Sequence, residues 1–444
     1  MKLSGWGRYP ALNAQSITPN RWQSIPEQLW AHGGQIARGQ GRSYGDSALG
    51  AHIISTESMD HFLEFNPQTG ILSCEAGVTL AQILQVTVPQ GWFLQVTPGT
   101  KFVSVGGAIA SDVHGKNHHH HGSFSTSVCS LQLLTTQGSL IACSATQNAD
   151  IFHATCGGMG LTGIIVSATI QLLKIDSSWI AQRTLKTQSL AETLEQFENT
   201  QSATYSVAWI DCLAKGEHLG RSLIMLGEHA TQSQLSAGGI SYSQRWQTHQ
   251  AGKLSMPFAL PNFVLNRWSI KAFNELYYRR VRQADSHNLL HYDPYFYPLD
   301  GIHHWNRMYG AEGFLQYQFV IPFSAGLAGL QRILTTISQS QKGSFLAVLK
   351  VFGEGNDNYL SFPVAGYTLA LDFKIDHQIW ALLDRLDQMV LEMSGRLYLA
   401  KDARMSAQTF HQSYPNLDQF IQVREQLGAH THFHSAQSMR LGLI

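Results

Sequence analysis

The sequence predicts an α+β protein of two domains, and three observations carry that expectation. With 444 residues, 44% hydrophobic and 14% charged, the chain has apolar mass for more than one core. To about residue 175, short strand-like runs alternate with glycine-rich turns; from about residue 176 to 394, longer amphipathic segments interleave with apolar strands.

The N-terminal runs expected as strands are "GQIARG", "AHIIST", "GILSCEAG", "CSLQLLTTQGSLIACS" and "GIIVSATIQLL". Between them, "TLAQILQVTVPQ" has a Thr79 start, helical apolar spacing and a proline near its end, and "NADIFHATCGG" has an Asn148 start and a glycine stop. Strands and helices do not alternate regularly enough for a βαβ array. In the second region, "SLAETLEQFENT" and "HQIWALLDRLDQMVLEMSG" predict helices, and "GFLQYQFVIPF" and "SFLAVLKVFG" predict strands. The polar stretch Gly227 to Lys253 is expected to be a mobile loop.

Composition excludes several functions. Thirty basic and thirty acidic side chains cancel, so no bulk field recruits nucleic acid, and a phosphate must be held by local groups. The first residues lack a signal-peptide core, and "LTGIIVSATIQLL" is shorter than the roughly 20 residues a bilayer span needs, so a cytoplasmic protein is expected. Cys74, Cys129, Cys143, Cys156 and Cys212 are scattered, with no CxxC pair, and are expected to be packing thiols.

Three glycine clusters are candidate ligand loops. Gly41 to Gly45 formally fits G-x-S-x-G, but a strand-like run follows instead of a helix, which is the wrong setting for Ser43 as a nucleophile. Gly158 to Gly163 fits G-x-G-x-x-G with helix and strand in reversed order, the wrong setting for a dinucleotide fingerprint. The third, "TPGTKFVSVGGAIASDVHGKNHHHH", joins Thr100, Ser104, Gly106 and Gly107 to the small residues Ala108, Ala110 and Ser111. Together the loops suggest a pyrophosphate held by backbone amides, with a flat ring lying close to the chain.

The segments "ARGQGRSYGDSAL", "TPGTKFVSVGGAIASDVHGKNHH" and "CGGMGLTGIIV", in this order, resemble the FAD-binding domain of the vanillyl-alcohol-oxidase type flavoproteins. "GFLQYQFVIP", "SFLAVLKVFGEGN", "LSFPVAGYTLALDF" and "GRLYLAKDARMSAQTFHQSYP" extend the likeness over essentially the whole chain. The resemblance implies a PCMH-type FAD-binding fold with an inserted substrate domain on an antiparallel sheet. Residues 1–176 would begin the FAD domain, 177–394 would bind substrate, and 395–444 would return to the flavin.

The resemblance further implies that Ala37, Arg38, Gly39, Gln40, Gly41, Arg42, Ser43, Tyr44, Gly45, Asp46 and Ser47 wrap the FAD pyrophosphate, completed by Gly99, Ser104, Val105, Gly106 and Gly107. Ser111, Asp112, Val113, His114, Ile164 and Ile165 would line the rings, with Tyr398 approaching from the tail. Relatives with a flavin-linked histidine resemble "GxGHS" here; Arg42 stands in that place, so the FAD is expected to be non-covalent. For catalysis the expected residues are Lys401 and His114, with Tyr44, Lys116, Gln316, Gln318, Lys350 and Lys401 around the substrate and Trp209, Tyr297 and Thr368 as pocket wall.

Within the family, the likeness implies oxidation of the 2-hydroxyl of a polyprenylphosphoryl-β-D-ribofuranose by hydride transfer to flavin, the first half of an epimerisation to the arabinose form. That would place the protein in cell-wall arabinose supply, with a short-chain reductase as partner and peripheral contact with the inner membrane face. Sugar, alditol and aldonolactone oxidation on the same fold is the alternative; a serine hydrolase using Ser43 is another and would be colourless. No metal is expected: His118 to His121 are consecutive, without the spacing that ligands need, and His120 and His121 should face solvent.

Overall fold

The computed structural model describes residues 1–26, 34–249, 254–261 and 263–443. Two antiparallel sheets organise it. The first is built on the long strand Ile164–Lys174, flanked by Val128–Leu134 and Leu140–Cys143 on one side and by Ile71–Glu75 and Phe62–Asn66 on the other; Trp92–Leu94 pairs with its far end. Beside it, Gln35–Arg38 and Gln15–Ile17 flank His52–Ser55 in a small parallel sheet.

The second sheet has eight strands in the order Asp285–His291, Trp179–Thr187, Ser222–His229, Tyr205–Ile210, Ala347–Phe352, Gly366–Lys374, Phe314–Pro322, Arg396–Leu397. Its two faces are chemically different because side chains alternate along a strand. In Phe314–Pro322, Leu315, Tyr317, Phe319 and Ile321 join a core with helices Gly326–Ser340 and Ile379–Glu392, which contribute Leu330, Ile333, Leu334, Leu383, Leu386 and Val390. Burying each such side chain favours the fold by roughly 1.5–3 kcal/mol. Gln316 and Gln318 turn the other way, to a large cavity.

Local chemistry explains the helix starts. The Thr79 side chain accepts from the Gln82 amide while Gln82 Oε1 accepts from the Thr79 amide (2.8 Å), a capping box that opens Leu80–Thr87. Ser189 caps Leu190–Asn199, its side chain accepting from the Glu192 amide. Asn148 does not cap: it sits at φ 49° and its amide donates to the Ala142 carbonyl.

Three expectations are corrected. Gly227 to Lys253 is not one irregular loop, because it contains the end of strand Ser222–His229, helix Gln232–Ala237 and a turn pinned by the Ser178 amide on the Arg245 carbonyl; residues 250–253 lie outside the described residues. Ser104 to Gly107 is a helix start: Ser104 caps Val105–Ala110, and the Val105 and Gly106 amides donate to Val78 and Ala76 carbonyls, so those donors are unavailable to an anion. Cys129 is exposed, whereas the other four cysteines are buried.

Candidate active site

A cavity of about 910 Å³ lies between the glycine loops and the open face of the eight-stranded sheet. The sheet register grades that face. At one end, Gln316 and Gln318 stand opposite Asp372 and Ala370, and Lys350 stands opposite Thr368. The middle is apolar, with Val348 against Trp209 and then Leu223 and Met225. The far end is polar again, where Gln182 and Thr184 pair with Asn288 and Ser286.

Opposite the sheet, residues 39–44 line the cavity. The amides of Gln40, Gly41, Arg42 and Ser43 meet no acceptor among the described residues, while the flanking chain is tied by Trp6 on the Ser43 carbonyl and Tyr44 on the Ala400 carbonyl. Four free N–H groups on a pinned loop form an anion cradle. Glycine is required in it: a Cβ on Gly39 would lie 2.1 Å from Ser104 Oγ, and Gly41 has φ +60°. A Cβ on Gly99 would meet nothing within 4 Å, so the opposite lip is open for a ligand. Arg42 lies over the Trp6 ring (4.2 Å), with its Nε buried and unpartnered among the described residues.

Three lysines converge on the polar end. Burial, with Lys401 adding repulsion, lowers Lys350 to about 7. Burial, with Lys350 adding repulsion, lowers Lys116 to about 7 as well; its ammonium also donates to the Tyr295 carbonyl. Burial lowers Lys401 less, to about 8, because Asp372 opposes it, and its ammonium sits 3.9 Å from the Tyr44 ring centre. Asp372 itself is raised to about 7 by burial, against hydrogen bonds from Gln316 (2.5 Å) and Tyr309 (3.1 Å).

His114 lies among Phe352, Phe362 and Tyr398. The Gln318 amide donates to its Nε2 (3.0 Å), which leaves the proton on Nδ1, an atom that is buried without a partner among the described residues. Burial, reinforced by Lys350, His118 and Lys401, holds its pKa well below the ordinary histidine value. The imidazole is therefore neutral, and in this arrangement neither nitrogen offers a lone pair to a substrate. His118 is buried against Phe352 and lowered to about 3 by burial and Lys350, while His120 is exposed and His121 half-buried.

Of the expected flavin contacts, Ala37, Gly39 to Tyr44, Ser47, Gly99, Ser104, Gly106, Gly107, Ser111, Val113, His114, Ile165 and Tyr398 line the cavity. Six do not. The Arg38 guanidinium donates to the Ala48 and Ser4 carbonyls, Gly45 packs on the Asp402 backbone, and Asp46 pairs with Arg440. Val105 and Ile164 are core residues. Asp112 turns away to bind Asn356, Asn358, Ser361 and the Ser125 amide. All six expected substrate residues line the cavity, as does Trp209. Tyr297 and Thr368 stand behind it, bonded to Thr97 and Gln318.

Residues behind the cavity wall that support the site were missed by sequence reading. Asp372 is one; its only sequence signal is a lone carboxylate in the apolar strand "TLALDF". Lys101 is another: it is buried, ion-paired with Asp293, and its amide donates to Asp300 (2.9 Å), which fixes the lip that carries Gly99 and Thr100. Those partners are distant in sequence and leave no local pattern.

The free amides, the glycines that permit close approach, the orphaned Arg42 Nε and a cavity at the upper end of the roughly 300–1,000 Å³ range of ligand pockets fit a bound dinucleotide. The model of the FAD binding domain matches residues 27–144. Fold and site together define an FAD-binding oxidoreductase.

The chain is 37% identical to decaprenylphosphoryl-beta-D-ribose oxidase of Mycolicibacterium smegmatis, covering 100% of this chain and 98% of that protein. Lower and partial likeness extends to L-gulonolactone oxidase of Bos taurus (27%, over 45% of this chain and 46% of that protein) and to D-arabinono-1,4-lactone oxidase of Yarrowia lipolytica (26%, over 46% and 39%). The chain belongs to the decaprenylphosphoryl-β-D-ribose oxidase family. Among the described residues no helix is long and apolar enough to cross a membrane.

Proposed function

We propose that the protein oxidises the 2-hydroxyl of a polyprenylphosphoryl-β-D-ribofuranose to the 2-keto sugar. The observation that carries this reading is the graded sheet face: cationic and polar where Lys350, Lys401, Gln316 and Gln318 meet, apolar along Val348, Trp209, Leu223 and Met225. A sugar phosphate with a prenyl tail has the same polarity sequence, whereas a free lactone leaves the apolar stretch unfilled. FAD, when bound, takes up the hydride. The residues do the rest. Lys350, neutral above about 7, accepts the hydroxyl proton; Lys401, still cationic at pH 7, steadies the developing alkoxide; Lys116 faces the phosphate. Gln318, held by His114 and Thr368, keeps its carbonyl oxygen for a sugar hydroxyl, so His114 is a positioning residue. The ketone then leaves for a separate reductase.

Anaerobic mixing of the holoenzyme with a short-chain polyprenylphosphoryl-ribofuranose should bleach the flavin and yield the 2-keto sugar. Bleaching that is absent, or as fast with free ribose or an aldonolactone, overturns the assignment. The FAD is held without a covalent bond, since Arg42 stacks on Trp6 and a guanidinium has no nucleophilic nitrogen to offer the ring. Acid precipitation is therefore expected to leave all the yellow colour in the supernatant; flavin retained on the precipitate contradicts this.

A further inference from the structure

Large apolar side chains exposed to solvent gather in one stretch, where Phe258, Phe263, Trp268 and Leu276 are 64%, 77%, 66% and 72% exposed. The last two belong to helix Arg267–Arg279, whose inner face is firmly docked: Asn274 donates to Asp211 (2.9 Å) and Tyr278 to the Thr187 carbonyl (2.9 Å). Its outer face carries Trp268, Ala272 and Leu276 at four-residue spacing, flanked by Lys271 and Arg279. Phe263 stands in the turn that enters the helix, where its carbonyl accepts from Asn266.

The same stretch breaks the charge balance of the chain. Between residues 258 and 282, Arg267, Lys271, Arg279, Arg280 and Arg282 are exposed, against Glu275 alone, in a protein whose thirty basic and thirty acidic groups cancel overall. The C-terminal end of the helix reaches the cavity, which Tyr277, Arg280 and Val281 line; Arg280 lies over the Tyr277 ring (3.7 Å), and Tyr277 packs on Trp209 of the apolar floor (4.8 Å).

We infer that this helix and the turn before it dock the protein on an anionic lipid surface and open the apolar half of the cavity toward it. Aromatic and aliphatic side chains on a convex face rimmed by arginine and lysine suit the headgroup region of a bilayer, and the cations complement anionic lipid. Continuity with the cavity supplies the reason for the placement: a prenyl chain passes from the bilayer along Tyr277 and Trp209 while its headgroup reaches the lysines. The inference rests on the proposed lipid-linked substrate.

Vesicle flotation tests it independently of turnover. The holoenzyme should float with phosphatidylcholine vesicles that contain phosphatidylglycerol, less with phosphatidylcholine alone, and less as salt is raised. The triple variant Phe263→Ser, Trp268→Ser, Leu276→Ser should lose at least about tenfold in partitioning. It should keep its FAD and oxidise a short-chain soluble substrate at the normal rate. The pair Lys271→Glu, Arg282→Glu should lose only the preference for anionic vesicles, which covers the case of a triple variant that fails to fold. Wild-type protein that does not float, variants that float equally well, or a triple variant whose only change is loss of self-association overturns the inference. If no polyprenylphosphoryl sugar is oxidised yet flotation behaves as described, the substrate assignment fails and the docking face stands.

Discussion

Lys401→Ala is expected to slow substrate-driven flavin reduction by about 10³-fold while leaving FAD bound, because in the proposed reaction it removes the cation that steadies the alkoxide, and it removes none of the cradle amides. The ammonium is fixed by contacts an alanine cannot replace: it lies over the Tyr44 ring and faces Asp372. The pH profile separates its role from that of Lys350. In the wild type, kcat/KM should rise as Lys350 loses its proton near 7 and fall as Lys401 loses its own near 8. Lys401→Met should abolish the falling limb and move the rising limb to higher pH, since Lys401 is one of the groups that depress Lys350. Anaerobic stopped-flow across pH 6 to 9 measures both limbs. A variant that reduces its flavin at the wild-type rate, or a rising limb that stays in place, removes Lys401 from the chemistry.

The contrast between Lys401 and His114 shows what a sequence can and cannot disclose about such a site. Both are polar residues in segments that resemble a flavoprotein, and both were expected to be catalytic. Their neighbours distinguish them, and those come from other strands: Gln318 occupies the His114 nitrogen, and Asp372 opposes the burial that lowers Lys401. Elements governed by short-range chemistry were legible, such as the helix start at Thr79 and the strand in "GFLQYQFVIPF". Where two short-range readings compete, the pattern misleads. "SVGGAIA" suits a glycine nest as well as a capped helix, and the acceptors that settle it, Ala76 and Val78, belong to a different segment. The free amides of Gln40 to Ser43 are the counterpart: the glycine cluster marked the loop, and only the fold shows that nothing else among the described residues consumes its donors.

The largest expected effect on stability comes from Arg440, at the opposite end of the chain from the loop it holds. Its guanidinium donates to both oxygens of Asp46 (3.1 and 2.8 Å), to Asp402 (2.8 Å) and to the Met405 carbonyl (2.5 Å). Asp46 follows the amide cradle and Asp402 follows Lys401, so one side chain ties the glycine loop to the turn that carries Lys401. Arg440→Met leaves two buried carboxylates without their partner and should cost about 3–5 kcal/mol in denaturant unfolding. Arg440→Lys, a point charge in place of a fork, should fall between. The pH dependence gives the sign. Although burial pushes it up, Asp402 sits below the ordinary carboxylate range because Arg440 and the Arg404 and Met405 amides outweigh burial; Asp46 sits above its range because burial outweighs Arg440. A lowered folded pKa makes Asp402 stabilising above the unfolded value, and that contribution is lost as pH falls through the folded one. In Arg440→Met both carboxylates should stand above their unfolded values, so acid relieves the variant while it weakens this contact in the wild type. The gap between the two unfolding curves should therefore narrow as pH falls from 7 toward 4. A gap that stays constant or widens shows that the guanidinium is not what holds the two acids.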